Sequence, residues 1–405
     1  MIKRFGFRNF SSFRDGAEIS FVGKDPLEYD NEYGEGIASV IGIKGANGSG
    51  KTNILKAISF LYCFCSKKMA TTKSSESGNP EIEIPLQSFM NSQDVTEFYI
   101  EFAHGDLIYY YELDITIKGI KREELRRKNR KEIICITREN NKIIHCLNEF
   151  NEIRKLKLRS DQSIITVVQD FDFSSPMIDL HEINLIFQQI FFNVGYDGYK
   201  TIETDNFFYV SEFYYNNPKS LEFCKNVISG VDDGIINIEI ESTHDSKSGD
   251  TIYYPIFIHS YNESELRIGL DQESMGTKAL FLSLYKYWLV LNDGALLVFD
   301  EFDTHLHPMI LPEIIKLFQN NTINRNNAQL IITAHNTEII DSLGRYSTVL
   351  VNKENNESYC YRLDEISLIR NDRSISPIYR KGKIGGIPRK IQGLTSRIVT
   401  EMENK

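Results

Sequence analysis

The sequence predicts an α/β fold: a mixed sheet with flanking helices that carries a phosphate loop, split by an inserted α+β lid. Three observations predict it. Residues 45–52 read Gly-Ala-Asn-Gly-Ser-Gly-Lys-Thr, a complete GxxxxGK[ST] loop. The loop lies between an apolar run of buried-strand type (residues 38–43) and a stretch with apolar residues at helical spacing (residues 53–61). Far along the chain, two more apolar runs end abruptly in polar residues: 295–299 in Asp300-Glu301, and 328–333 in Ala334-His335-Asn336.

The loop comes first. Gly45, Gly48 and Gly50 let the backbone curl so that successive N–H groups face a phosphate chain at a helix N-terminus. Lys51 brings an ammonium to the β/γ oxygens of a nucleotide, and Thr52 offers a hydroxyl to Mg²⁺. Asn47, Ser49 and Asn53 complete the expected nucleotide-binding set.

The run 295–299 reads as a central parallel strand covered on both faces. Acids at the C-terminal tip of such a strand lie beside the loop that holds the phosphates. Asp300 would hold Mg²⁺, directly or through water, and Glu301 would polarise the attacking water. A solvated strand end is the competing reading of an Asp-Glu pair. His335 follows at the interval of one crossover helix (residues 312–319) and a return strand, which favours a γ-phosphate sensor over a structural histidine. Ser274-Met275-Gly276-Thr277 opens a helical run; such a turn offers N–H groups, a hydroxyl and a dipole end to an anion, or is an ordinary N-cap.

In this order, a phosphate loop at 45–52, Ser274-Met275-Gly276, Asp300-Glu301 and His335, the chain resembles ABC-type ATPases, and their SMC/RecF-like branch rather than transporters. The opening Ile2–Phe13 is similar to that branch's first hairpin, with its Asn-Phe-x-Ser-Phe ending. Residues 273–278, and Asp300-Glu301 with Leu306-His307-Pro308, resemble the compact AAA-type ATP-binding proteins of prokaryotic abortive-infection and phage-defence loci. The resemblance implies a homodimer or higher oligomer in which Ser274 and Gly276 of one copy hold the triphosphate bound by the other. It also implies an ATPase that acts as sensor and scaffold for a separately encoded effector, a nuclease or toxin, in antiviral defence. The alternative is a RecF-like repair or recombination ATPase that binds DNA in its ATP state. OLD-type relatives carry a nuclease domain after the ATPase, and the residues beyond His335 are too few for one. The signature lacks the full Leu-Ser-Gly-Gly-Gln. Either Gln87 or Gln93 would be the Mg²⁺-sensing glutamine, with Gln87 preferred.

Organisation follows from these anchors. Residues 1–117 form the lobe with the phosphate loop, 118–234 the inserted lid, 235–355 the lobe with the signature, the Asp-Glu pair and His335, and 356–405 a basic C-terminal segment. Lys51 and Ser274 stand too close in sequence for SMC coiled-coil arms, and no heptad repeat is sustained. Residues 66–80 are polar. Basic clusters at 121–131 and 370–397 would face nucleic acid or an acidic partner, unless they are solvated faces. His305 and His307 beside Asp303 read as a loop touching the opposing subunit rather than as a metal pair. The aromatic run 207–215 reads as packing rather than as a base-stacking platform. Hydrophobic content of 41% and net charge −10 fit a soluble chain and argue against a wholly DNA-coating one. With no apolar signal core, no 18-residue apolar stretch and no disulfide or zinc pattern among six cysteines, a cytoplasmic protein without membrane contact is expected.

Overall fold

The computed structural model describes residues 1–23, 36–66, 69, 71–74, 80–199, 206–244, 249–262, 264–366, 374–388, 398 and 402. Two sheets share one helix. The first sheet is six-stranded, in the order Ile190–Phe192, Leu296–Phe299, Gln329–Thr333, Val40–Gly45, Thr348–Glu354 and Glu357–Arg362. Its first five strands run parallel and the last antiparallel. The central strands are buried on both faces, as helices on either side require. Val40, Leu297, Phe299, Leu330 and Ile332 pack with the helices Met275–Asp293 and Ile310–Gln319. Ile41, Ile43, Val298, Ile331 and Val349 pack with the helix Lys51–Ser66.

The second sheet is antiparallel and seven-stranded: Lys142–Cys146, Glu132–Glu139, Gly119–Lys128, Leu107–Thr116, Thr96–His104, Ile2–Arg8 and Ala17–Ser20. Phe5, Phe7, Phe98, Ile100, Tyr111 and Leu113 from this sheet join the same apolar cluster. The Lys51–Ser66 helix therefore lies between the sheets, and Phe60 stacks on Phe98 at 5.0 Å. Ile54, Leu55, Ile58, Phe60, Leu61 and Phe64 are fully buried. At ~1.5–3 kcal/mol each, they anchor the helix by on the order of 10 kcal/mol and so fix the loop at its N-terminus.

Gly119–Lys128 pairs with Leu107–Thr116, so the 117/118 boundary falls in a hairpin turn, and the second sheet runs on to Cys146. Ile190–Phe192 joins the parallel sheet. Helices Phe207–Asn216 and Pro218–Ser229 and a three-stranded sheet, Ile235–His244, Thr251–Tyr261 and Ser264–Gly269, cover the Met275–Asp293 helix. In the 207–215 run Tyr214 is buried, whereas Phe208, Tyr209 and Tyr215 are exposed.

Arginines of the basic cluster at 121–131 face acids on their own strand and on neighbouring elements. Arg122 pairs with Glu112 (2.9 Å) and Glu124 (2.8 Å). Arg126 reaches Glu112, Glu124 and Glu132, and Arg127 reaches Asp179 and Glu149. In the C-terminal segment, Ile375, Tyr379 and Ile384 pack on Ile340, Leu350 and Leu363, while Arg370, Arg373, Arg389, Lys390 and Arg397 lie outside the described residues. Most of the polar stretch 66–80 does too. All six cysteines are free thiols. Among the described residues, no helix is long and apolar enough to cross a membrane.

Candidate functional site

The phosphate loop leaves the Val40–Gly45 strand and enters the Lys51–Ser66 helix. Gly50 takes φ 112°, which glycine adopts without steric penalty. A Cβ there would lie 2.7 Å from Ser358 Oγ and 2.9 Å from Ser12 Oγ. Those serines brace the loop: Ser358 Oγ donates to Ser49 O at 2.6 Å, and Asn53 Nδ2 donates to Ser12 Oγ at 2.8 Å. The opening hairpin thus buttresses the loop. Ser49 Oγ is buried without a hydrogen-bond partner, an orphan hydroxyl inside a cradle suited to phosphate oxygens. Lys51 Nζ donates to Gly45 O (2.9 Å) and Ala46 O (3.1 Å). Burial holds its ammonium below the ordinary lysine value, against the pull of Asp300, Glu301 and Asp303.

Asp300 is 3% exposed and held by four hydrogen bonds from three residues. Thr52 Oγ1 donates to its Oδ2 at 2.8 Å, and the Thr333 hydroxyl donates to its Oδ1. Asn193 Nδ2 donates to its carbonyl (2.9 Å), and its N–H donates to Asn193 Oδ1 (2.7 Å). The Asp-Glu strand is not next to the loop strand: Gln329–Thr333 lies between them, and Thr333 closes the gap. Glu301 N donates to Thr333 Oγ1 at 2.8 Å. Glu301 has φ 50°, an uncommon backbone for a side-chain-bearing residue, and its carboxylate side is exposed. A threonine hydroxyl facing an aspartate is a hard-oxygen donor set that fits Mg²⁺.

Gln87 stands elsewhere. Its Oε1 accepts from Ser11 Oγ (3.4 Å) and Lys56 Nζ (3.5 Å), one helical turn beyond Thr52. Gln93 is exposed. Neither glutamine is hydrogen-bonded to Thr52 or Asp300.

Ser274 caps the Met275–Asp293 helix, its Oγ accepting from Thr277 N at 3.1 Å. Glu273, buried, pairs with His259 Nε2 at 2.7 Å and fixes the turn from behind. A Cβ on Gly276 would come 2.9 Å from His305 O, so only glycine lets the 303–307 loop sit there unshifted. His335 is exposed at the tip of Gln329–Thr333. Asp303 Oδ2 accepts from His335 N (2.8 Å) and Asn336 N (2.6 Å). His307 Nδ1 accepts from Met309 N at 3.3 Å. No cluster of three or more His, Cys, Asp or Glu side chains suited to a metal occurs among the described residues.

Asn193 and Thr333 are not legible as site residues from the sequence. Asn193 follows the three-residue strand Ile190–Phe192 and lies 107 positions before Asp300, and only the polar end of an apolar run marks it.

A loop that offers amides and a lysine to a phosphate chain, facing a carboxylate pair spaced by a buried threonine, is the arrangement of a P-loop nucleotide-binding domain. Residues 40–341 match the model of the family described as "AAA domain, putative AbiEii toxin, Type IV TA system", and the chain belongs to that family. Among solved structures it is similar to the Smc head bound to the C-winged helix domain of ScpA, at 13% identity over 91% of this chain and 98% of that one, with TM-score 0.45. It is also similar to a Pyrococcus furiosus Smc head domain with an extended coiled coil bound to the C-terminal domain of ScpA, at 13% identity over 90% and 97%, with TM-score 0.44. At such scores the likeness carries no argument of its own. No curated protein matches the sequence.

Proposed function

We propose that the chain binds ATP with Mg²⁺, closes on a second copy around the triphosphate, and reopens by hydrolysing it. One observation carries this reading: the hydrogen-bonded series Thr52–Asp300–Thr333–Glu301, which joins the loop to the Asp-Glu pair across 248 positions of sequence. The loop amides and Lys51 hold the phosphate chain. Thr52 and Asp300 would hold Mg²⁺, which would supply positive charge beside the phosphates. Glu301 takes the proton of the attacking water, its backbone kept in place by Thr333. His335, on the neighbouring strand tip, donates to the γ-phosphate.

Ser274 and Met275 are exposed at the start of a 19-residue helix, so the turn is free to receive a γ-phosphate from another copy. ATP then acts by differential affinity. Moving a dimer from 1:99 to 99:1 closed takes ~5.5 kcal/mol, about 2.7 kcal/mol from each of two shared nucleotides.

The closed state would hold or release a separately encoded effector in antiviral defence. The family's description, which names a toxin and a toxin–antitoxin system, supports work beside a second protein. The alternative, a DNA-repair ATPase, would bind DNA through basic surface, and the arginines at 122, 126 and 127 are engaged by acids. Turnover tests the site directly. Glu301→Gln should bind ATP and lose hydrolysis, whereas Lys51→Ala should lose binding. Hydrolysis at the wild-type rate in Glu301→Gln would remove the assigned base. Pull-down of tagged chain with and without ATP tests the effector: a partner whose yield is nucleotide-independent speaks against the switch.

A further inference from the structure

Lys44 is the residue in the core that burial alone least explains. It stands one position before the phosphate loop, on the face of its strand shared with Val40 and Gly42, and is 1% exposed. An apolar side chain would satisfy that position at no electrostatic cost, since an ammonium taken from water must be matched by acceptors. Its acceptors are specific. Nζ donates to Ala334 O at 2.7 Å and to Asn336 O at 2.6 Å, the two carbonyls flanking His335. From the other side, Asp303 Oδ2 takes the amides of His335 and Asn336. The histidine side chain itself is exposed, so its direction is set by the backbone beneath it.

We propose that Lys44 is a positioning residue for His335: with Asp303 it clamps the peptide groups on both sides of the histidine and aims the imidazole at the γ-phosphate held by the adjoining loop. The proposal rests on the reading of His335 as a γ-phosphate contact. Burial also pushes the Lys44 ammonium down to about 7, with Asp303 opposing and Lys51 reinforcing that shift, so the clamp carries an electrostatic cost that an apolar residue there would avoid. Lys44 ties the loop strand to the histidine strand through two main-chain oxygens. A small displacement of the clamp therefore becomes a displacement of the imidazole, and misplacement by about 1 Å is worth up to roughly 100-fold in rate.

The test is a double-mutant cycle on ATP turnover with wild type, Lys44→Met, His335→Ala and the double variant. Lys44→Met keeps length and apolar volume, and thermal melting verifies its fold. Expected is a kcat lower by about tenfold or more with KM for ATP within about twofold, and no further loss when Lys44→Met is added to His335→Ala. Asp303 supplies a second handle should Lys44→Met fail to fold: Asp303→Ala should reproduce the kcat loss, and Asp303→Asn, which keeps an oxygen for both amides, should restore most of it. Full additivity of Lys44→Met and His335→Ala overturns the clamp, as does unchanged kcat in Lys44→Met while His335→Ala is slow. Unchanged turnover in His335→Ala instead removes the sensor reading on which the clamp rests.

Discussion

Thr333→Val removes one hydroxyl and almost no volume, so it isolates the two hydrogen bonds that Thr333 makes. The hydroxyl donates to the Asp300 carboxylate and accepts from Glu301 N at 2.8 Å. Thr333 is fully buried and Asp300 is 3% exposed, so neither bond is replaced by water. A hydrogen bond to a charged group contributes ~1.5–3 kcal/mol and a neutral one ~0.5–1.5 kcal/mol. The substitution should cost about 2–4 kcal/mol, with no cavity contribution. For a chain of this size that lowers Tm by about 2–5 °C. Turnover should suffer more than stability, because Glu301 keeps its uncommon φ of 50° only while its N–H is held. A fall in kcat of about 10–100-fold, with nucleotide binding near wild type, is expected from calorimetry and an ATPase assay run on the same preparation. Equal Tm and equal kcat in Thr333→Val would refute the assignment of Thr333 as the spacer between the loop and the carboxylates.

Two further outcomes follow from the same geometry. Lys44 is protonated up to its ordinary value in the unfolded chain but only to about pH 7 when folded, so between these the unfolded state binds more protons and stability rises with pH. From pH 7 to pH 9 the wild type should gain about 2 kcal/mol relative to Lys44→Met, and below pH 7 the difference should be constant; parallel denaturation curves across that window would contradict it. Gly276→Ala places a Cβ 2.9 Å from His305 O, so it should shift the 303–307 loop and weaken ATP-dependent dimerisation while leaving ATP binding by the monomer intact; sedimentation and nucleotide titration read the two separately.

Local signals made the site's nucleus legible. The glycine loop, the apolar runs that become Leu296–Phe299 and Gln329–Thr333, and the turn at Ser274 are contiguous in sequence, and each element lies where its pattern put it. What stayed hidden acts at a distance. Asn193 and Thr333 matter through Asp300, 107 and 33 positions away, and Lys44 through carbonyls 290 and 292 positions away. Nothing in a short window marks such pairs. Gly119–Lys128 was hidden for a different reason: its charges read as a face for a partner or for solvent, yet Ile120 and Leu125 face the core while Arg122 and Arg126 meet acids across the sheet.

Light scattering of Glu301→Gln, with and without ATP–Mg²⁺, is the most direct measurement of whether two copies share the nucleotide. The mass should double on adding ATP, and Ser274→Arg placed in the same variant should keep it monomeric while ATP still binds. A monomer at saturating ATP, or a dimer indifferent to both nucleotide and Ser274→Arg, would contradict the shared site.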